Sequence, residues 1–201
     1  MEPTIGILAM QGDFSAHKRT VERAGGTAVE VRTSKDLDGV DGLIIPGGES
    51  TTMLKLLREE QLFDPLVEFG RVKPVFGTCA GTILLAKRVL NPVQESLGLM
   101  DLTVERNAYG RQIDSRIVQL DLDGRALETV FIRAPVIRQT GDDVRVLLSY
   151  QGRPVLVEQG RHMAATFHPE LTSDPRIHLH FLAKVIEDRK VAENIVSAPI
   201  R

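Results

Sequence analysis

The sequence holds one cysteine and no tryptophan. A single cysteine excludes an internal disulfide and makes a cysteine-rich metal site untenable. A free thiol fits a reducing cytoplasm, so cytoplasmic is the expected location. No apolar run approaches the roughly 20 residues that a membrane helix needs. The start, Met1-Glu2-Pro3-Thr4, lacks a basic segment ahead of an apolar core, so no signal peptide is readable. Neither sign of charge is in excess: the net charge of -2 gives no electrostatic reason to expect nucleic acid or an anionic membrane as partner. Internal repeats and low-complexity segments are missing too.

What is present is ordinary globular material, 201 residues with 42% hydrophobic and 26% charged, enough for one domain with a real core. Ile5-Gly6-Ile7-Leu8-Ala9-Met10 is a continuous apolar run, the mark of a strand buried on both faces. Gln11-Gly12-Asp13 breaks it, and Asp13 or Ser15 caps a helix over 14–24 that Gly25-Gly26 closes. Strands over 28–31 and 41–46 follow, then a helix opened by Ser50-Thr51-Thr52 and a further helix over 64–70. Strands alternating with helices at this spacing predict an α/β fold of three αβα layers around a mostly parallel open sheet. The second half differs. Short strand candidates at 102–104, 117–120, 130–132, 144–148, 155–157 and 163–167 have no long helix between them. They predict additional antiparallel strands attached to the parallel core. A last helix is expected over 175–190. The chain is expected to form a single domain over 1–191, with 192–201 a flexible C-terminal tail.

The chain turns on Pro74-Val75-Phe76-Gly77-Thr78-Cys79-Ala80-Gly81, followed by the apolar, helix-forming Thr82 to Ala86. This is strand, sharp turn, helix. A glycine on each side of the corner avoids a Cβ clash in a tight bend. A side chain at the corner is lifted clear of the sheet edge and sits at a helix N-terminus, whose partial positive charge favours a thiolate. Gly-Thr-Cys-Ala-Gly is the cysteine version of the nucleophile elbow Gly-x-Ser-x-Gly. The alternative is a small buried apolar residue, as most single cysteines are.

Two other stretches bear on that choice. His168-Pro169-Glu170 follows a predicted strand. A cysteine nucleophile needs a base, and the base needs a group that holds its ring and tautomer. In an extended segment i and i+2 point the same way, which sets the carboxylate beside the imidazole. Pro169 stiffens the pair. Taken alone, a histidine near a glutamate is an incidental loop pair; beside a cysteine elbow it becomes a base and its orienting group. The third stretch, Leu43-Ile44-Ile45-Pro46-Gly47-Gly48-Glu49-Ser50-Thr51-Thr52, also runs from strand to helix, through a turn stripped of side chains. Paired glycines let N–H groups point at a ligand. Thiolate attack on an amide carbonyl produces an oxyanion that needs two preorganised donors, for which the backbone N–H groups of Gly48 and Ala80 are the candidates. Ser50 or Thr51 is expected as the N-cap of the following helix. The P-loop spacing and its lysine are absent.

The remaining histidines carry less. His178 and His180 are two apart on a predicted helix and face different ways, so no ligand pair is expected. His17 reads as an exposed or interfacial helical residue and His162 as part of a hairpin loop. No metal site and no cofactor are expected.

The three stretches together resemble the class I glutamine amidotransferase family, whose domains carry a Gly-x-Cys-x-Gly elbow, a late His-x-Glu and a Gly-rich oxyanion loop. Within it, the opening through Gln11-Gly12, Pro46 to Thr52, Phe76 to Gly81, Val104-Glu105-Arg106-Asn107, Gly110-Arg111-Gln112, Phe131-Ile132-Arg133-Ala134-Pro135 and Phe167 to Leu171 resemble the glutaminase subunits of pyridoxal 5′-phosphate synthase. The likeness spans about 5–190, nearly the whole chain.

The resemblance implies a flavodoxin-like fold and a subunit that hydrolyses L-glutamine to L-glutamate and ammonia. The ammonia passes to a barrel-shaped synthase subunit that builds pyridoxal 5′-phosphate from ribose 5-phosphate, or its ketose isomer, and glyceraldehyde 3-phosphate. The family assembly is a ring with one glutaminase per synthase subunit, and docking gates activity. Carried onto this chain, Cys79 is the nucleophile, His168 the base and then the acid, and Glu170 the residue that orients His168. Glutamine contacts fall on Gly48, Glu49, Ser50, Arg106, Ile132 and Arg133. Arg106 or Arg133 suits the α-carboxylate, and Glu49 either faces the ammonium or complements a helix N-terminus. The chain departs from the family pattern at Tyr109, often Phe, and at Thr82, usually a larger aliphatic. Two other readings stay open: another cysteine hydrolase on the same scaffold, or a silent subunit that only regulates its partner. Fold alone separates none of them.

Overall fold

The computed structural model describes residues 2–106 and 115–197. Its first half is a run of strand–helix units. Strand β1 (Thr4–Leu8) leads to helix α1 (Phe14–Arg23), then β2 (Thr27–Val31), a short 3-10 turn, β3 (Gly42–Ile45), α2 (Ser50–Glu59), α3 (Phe63–Val72), β4 (Val75–Thr78) and the short α4 (Ala80–Leu85). The second half is mostly strand: β5 (Ala86–Leu90), β6 (Met100–Glu105), β7 (Arg116–Leu122), β8 (Arg125–Phe131), β9 (Val136–Thr140), β10 (Arg145–Tyr150), β11 (Arg153–Gln159) and β12 (His162–Ala165). Helix α5 (Arg176–Ser197) closes the fold.

The main sheet has the order β10-β11-β12-β4-β3-β1-β2. Its β2, β1, β3, β4 and β12 run parallel, while β11 and β10 extend it antiparallel. Of the expected antiparallel additions, β10 and β11 join the main sheet, whereas the strand expected over 163–167 is β12 and runs parallel beside β4. Two small sheets, β5-β6-β9 and β7-β8, stand apart from it.

The apolar runs of β1 and β3 are continuous because both sheet faces are covered. Successive side chains on a strand point to opposite faces, and the core divides accordingly. Leu43 and Ile45 join Met53, Leu57, Phe69 and Leu84 on one side. Ile44 joins Ile5, Ile7, Phe76, Phe167 and Phe181 on the other. This places α2, α3 and α4 over one face and α1 and α5 over the other. Asp13 caps α1 by accepting the Ala16 N–H at 2.9 Å.

Several local expectations change. Helix α4 is a single six-residue piece, and Ala86, read as its continuation, begins β5, which pairs in parallel with β6. The apolar letters from Ile83 to Ala86 suit either state, and pairing with β6 decides it. Strand β9 went unread because only its first two residues, Val136 and Ile137, are buried. Helix α5 continues to Ser197, past the expected end at Lys190, since Ala192 and Glu193 favour helix and no glycine or proline intervenes before Pro199. Asn107, Tyr109 and Gly110-Arg111-Gln112 lie outside the described residues. Among the described residues no helix is long and apolar enough to cross a membrane.

Candidate active site

The loops at the C-terminal ends of β1, β3, β4 and β12 meet at one cavity of about 420 Å³. That volume lies in the range of small-molecule sites, about 300–1,000 Å³. Its lining includes every residue singled out in the sequence: Gly48, Glu49, Ser50, Cys79, Ala80, Arg106, Ile132, Arg133, His168 and Glu170.

Cys79 stands at the corner between β4 and α4 with φ 48° and ψ -106°. A non-glycine residue in so sparse a region costs about 1–3 kcal/mol. The strain of the turn thus falls on the cysteine itself and not on its glycines, which serve close approach. A Cβ on Gly77 would lie 2.5 Å from the Gly81 carbonyl carbon, and one on Gly81 only 2.1 Å from the Ile45 oxygen. The Cys79 N–H donates to the Ala165 carbonyl at 2.8 Å, which ties the corner to β12. The thiol faces the Ile132 carbonyl at 3.9 Å. Ala80 is the first residue of α4, so its N–H is among those a helix leaves without an internal acceptor. Thr82 donates its hydroxyl to the carbonyls of Gly77, at 3.1 Å, and Ala165, at 2.6 Å. A larger aliphatic could not pin the elbow in this way.

His168 follows β12, and its N–H donates to the Val130 carbonyl at 2.8 Å. Its Nδ1 lies 2.7 Å from Glu170 Oε1. The pair forms, but not through the extended chain expected from the spacing: Glu170 sits in the 3-10 turn Pro169–Leu171, with Pro169 as its first residue. Proline is preorganised for that position. The other ring nitrogen, Nε2, is buried without an aligned hydrogen bond. Burial opposes charge on the ring, but the neighbouring Cys79 sulfur and Glu170 carboxylate outweigh it and push the His168 pKa from 6.5 up to about 10. Glu170 is 5% exposed. Burial pushes its carboxyl up, while the field of His17 and the His168 hydrogen bond hold it below its usual value.

On the opposite rim, Gly12 and Gly48 have φ of 82° and 149°. A Cβ on Gly12 would fall 1.8 Å from the Gly47 oxygen. That carbonyl therefore points at Gly12, and the Gly48 N–H, anti to it across the trans peptide, points the other way. Gln11 Oε1 accepts the Glu49 N–H at 3.1 Å. The N-cap of α2 is Glu49 and not Ser50 or Thr51: its carboxylate accepts the N–H groups of Thr51 at 3.1 Å and Thr52 at 2.7 Å. Partial burial would raise its pKa, but these bonds and those from both threonine hydroxyls bring it down to about 2. Glu49 also accepts from Arg106 Nη2 at 3.0 Å. Arg106 Nη1 is buried with no partner among the described residues. The Ser50 hydroxyl is engaged by Gln94 at 3.0 Å. Arg133 is exposed, with φ 44°.

Behind Glu170 lies a group that the sequence did not announce. His17 is wholly buried, not exposed or interfacial. Its Nε2 is 3.1 Å from Thr78 Oγ1 and 3.3 Å from Glu170 Oε2, and its Nδ1 is 3.0 Å from His178 Nε2. The signal was the spacing: Ala16, His17, Thr20 and Val21 form the buried stripe of α1. His162, read as a loop residue, opens β12, where its Nδ1 accepts the Val75 N–H at 3.2 Å. Burial lowers its pKa to about 4. Among the described residues no group of three or more His, Cys, Asp or Glu is placed to hold a metal ion.

A strained cysteine at a strand–helix corner, a histidine–carboxylate pair one strand away and a mostly parallel sheet define the class I glutamine amidotransferase fold. A solved structure described as a glutamine amidotransferase matches it with a TM-score of 0.84 and 47% identity, covering 90% of this chain and 98% of that one. The model of the SNO glutamine amidotransferase family matches residues 7–187, and the chain belongs to that family. Pyridoxal 5'-phosphate synthase subunit PdxT of Solibacter usitatus is 62% identical over 189 residues, 90% of this chain and 98% of that protein. The same-named protein of Koribacter versatilis is 53% identical over 183 residues, 90% of this chain and 95% of that protein.

Proposed function

We propose that this chain is the glutaminase subunit of a pyridoxal 5′-phosphate synthase, acting in the cytoplasm through a single domain that includes all of α5. The observation that carries it is the convergence of Cys79, the His168–Glu170 pair at 2.7 Å and the two arginines on one cavity. Family membership and the names of the relatives supply the substrate and the partner.

The mechanism is a thioester cycle. Cys79 thiolate attacks the side-chain amide carbon of glutamine, and a C–S bond forms. The resulting oxyanion rests on the backbone N–H groups of Gly48 and Ala80. As it collapses, the C–N bond breaks and the His168 imidazolium gives its proton to departing ammonia. Neutral His168 then takes a proton from water, whose oxygen attacks the glutamyl thioester. The C–S bond breaks, glutamate leaves and the thiolate returns. Glu170 holds the ring and stabilises its charged form. Arg106, whose Nη1 has no partner among the described residues, takes the α-carboxylate together with Arg133. Ile132 offers backbone and Glu49 faces the ammonium while it caps α2. Ser50 lines the same wall.

Ammonia passes to a barrel-shaped synthase subunit in a ring assembly, one glutaminase to each. The test is glutamate release from L-glutamine with and without that subunit, with Cys79→Ala as control. Release that rises with the partner and vanishes in the variant is the expected result. No release with a demonstrably bound partner would move the chain to a silent regulatory subunit or to a hydrolase of another substrate.

A further inference from the structure

We propose that His17 is a positioning residue for Glu170, presenting its Nε2–H to the carboxylate oxygen that His168 does not use. Glu170 Oε1 is committed to His168 Nδ1 at 2.7 Å. Oε2 is buried and makes no aligned hydrogen bond among the described residues, and His17 Nε2, hydrogen-bonded to Thr78 Oγ1, approaches it to 3.3 Å. A buried carboxylate oxygen with no donor facing it is costly, and that cost would favour rotation of the carboxylate or its protonation.

The tautomer follows from the neighbours. Were His17 protonated on Nδ1, it would donate to His178 Nε2. Its Nε2 lone pair would then face an anion at 3.3 Å, and His178 would carry a buried Nδ1–H with no acceptor. With the proton on Nε2, both faults disappear. His178 Nε2–H donates to His17 Nδ1, and His17 Nε2–H lies between Thr78 Oγ1 and Glu170 Oε2. The atom left over is a bare lone pair on His178 Nδ1, which is tolerated better than an orphaned N–H. Two N–H groups then converge on Glu170, one from α1 and one from the residue after β12.

Both buried rings stay neutral. Burial lowers the pKa of His17, and lowers that of His178 to about 3. Neutrality matters: a dipole fixes the carboxylate without cancelling the charge that His168 needs. Gln11, Gly12 and Asp13 stand between β1 and α1, so the loop that borders the cavity also sets the depth of His17.

The test compares three substitutions. Gln can set its amide N–H near the imidazole Nε2, Met fills the space without a donor, and Asn reaches only as far as Nδ1, keeping His178 but not Glu170. With the synthase subunit present, His17→Met and His17→Asn are expected to lose roughly tenfold or more in kcat with KM for glutamine changed by less than about twofold, while His17→Gln stays within about threefold of the parent. The turnover readout rests on the glutaminase reading; a second one does not. Cys79 is the sole cysteine, so its alkylation by iodoacetamide at neutral pH reports the Cys79–His168 pair without glutamine, and the same ranking is expected. Alkylation that follows the ranking in a protein releasing no glutamate would sink the glutaminase reading and keep this one. Should His17→Met not fold, His17→Asn carries the comparison. The proposal is overturned if His17→Gln is as impaired as the other two, if Met and Asn match the parent, or if none of the three folds.

Discussion

Gly81 presses its Cα against the Ile45 carbonyl: a methyl group there would lie 2.1 Å from the Ile45 oxygen. The obstacle is backbone at the end of β3, not a side chain that could swing aside. Gly81→Ala is expected to destabilise the fold by about 1–3 kcal/mol. The first turn of α4 would also shift, so alkylation of Cys79 should slow. Urea unfolding and iodoacetamide kinetics measure the two effects. A fully stable Gly81→Ala would mean that the elbow can slide away from β3.

Cys79 itself carries the strained backbone, with φ 48° and ψ -106°. Alanine inherits that strain and glycine does not. Cys79→Gly should therefore be more stable than Cys79→Ala by about 1 kcal/mol, despite the greater unfolded-chain entropy of glycine. Equal stability of the two inactive variants would say that the strain is relaxed in solution.

The charge on His168 depends on its neighbours. Its pKa is raised from 6.5 to about 10 by Cys79 and Glu170 against the opposing effect of burial. The corresponding stability is fully present below pH 6.5 and is lost as pH rises through about 10. Activity should fall over the same alkaline range, because in the proposed mechanism the imidazolium is the acid that protonates ammonia. Removing the thiol removes one of the raising influences, so NMR titration of the His168 ring should give a lower pKa in Cys79→Ala than in the parent. An unchanged value would show that the two groups do not interact.

Glu170→Gln keeps the shape of the triad but removes its anion. Turnover should drop by roughly two orders of magnitude or more yet stay measurable, whereas Cys79→Ala should have none. The carboxyl lies below its usual value in the fold, so its stabilising contribution is present above pH 4.5 and fades as pH falls through the folded value. Glu170→Gln should flatten the acid side of the stability curve in thermal melts.

Arg106 is nine-tenths buried, with one nitrogen on Glu49 and one without a partner among the described residues. Arg106→Met is expected to raise KM for glutamine by roughly tenfold or more, while kcat changes less. A change confined to kcat would remove Arg106 from substrate binding and leave it as a brace for Glu49.

The sequence alone marked out the parallel core and the residues that line the cavity. The continuous apolar run from Ile5, broken by Gln11-Gly12-Asp13, is too short for a buried helix and fits a strand covered on both faces, which spans Thr4–Leu8. Glycines that bracket a lone cysteine, and a proline between His168 and Glu170, are local signals of local geometry. What lay beyond it was set by partners far along the chain. Ala86 becomes strand because β6 lies alongside. His17 is buried because α1 meets β4, the Pro169–Leu171 turn and α5, elements that begin 58 or more residues later. Hydrophobic periodicity and turn chemistry are properties of neighbours in sequence and can be read there. Which polar atom meets which inside the core is decided by tertiary packing, where a buried imidazole must find its partners across 161 residues, as His17 finds His178.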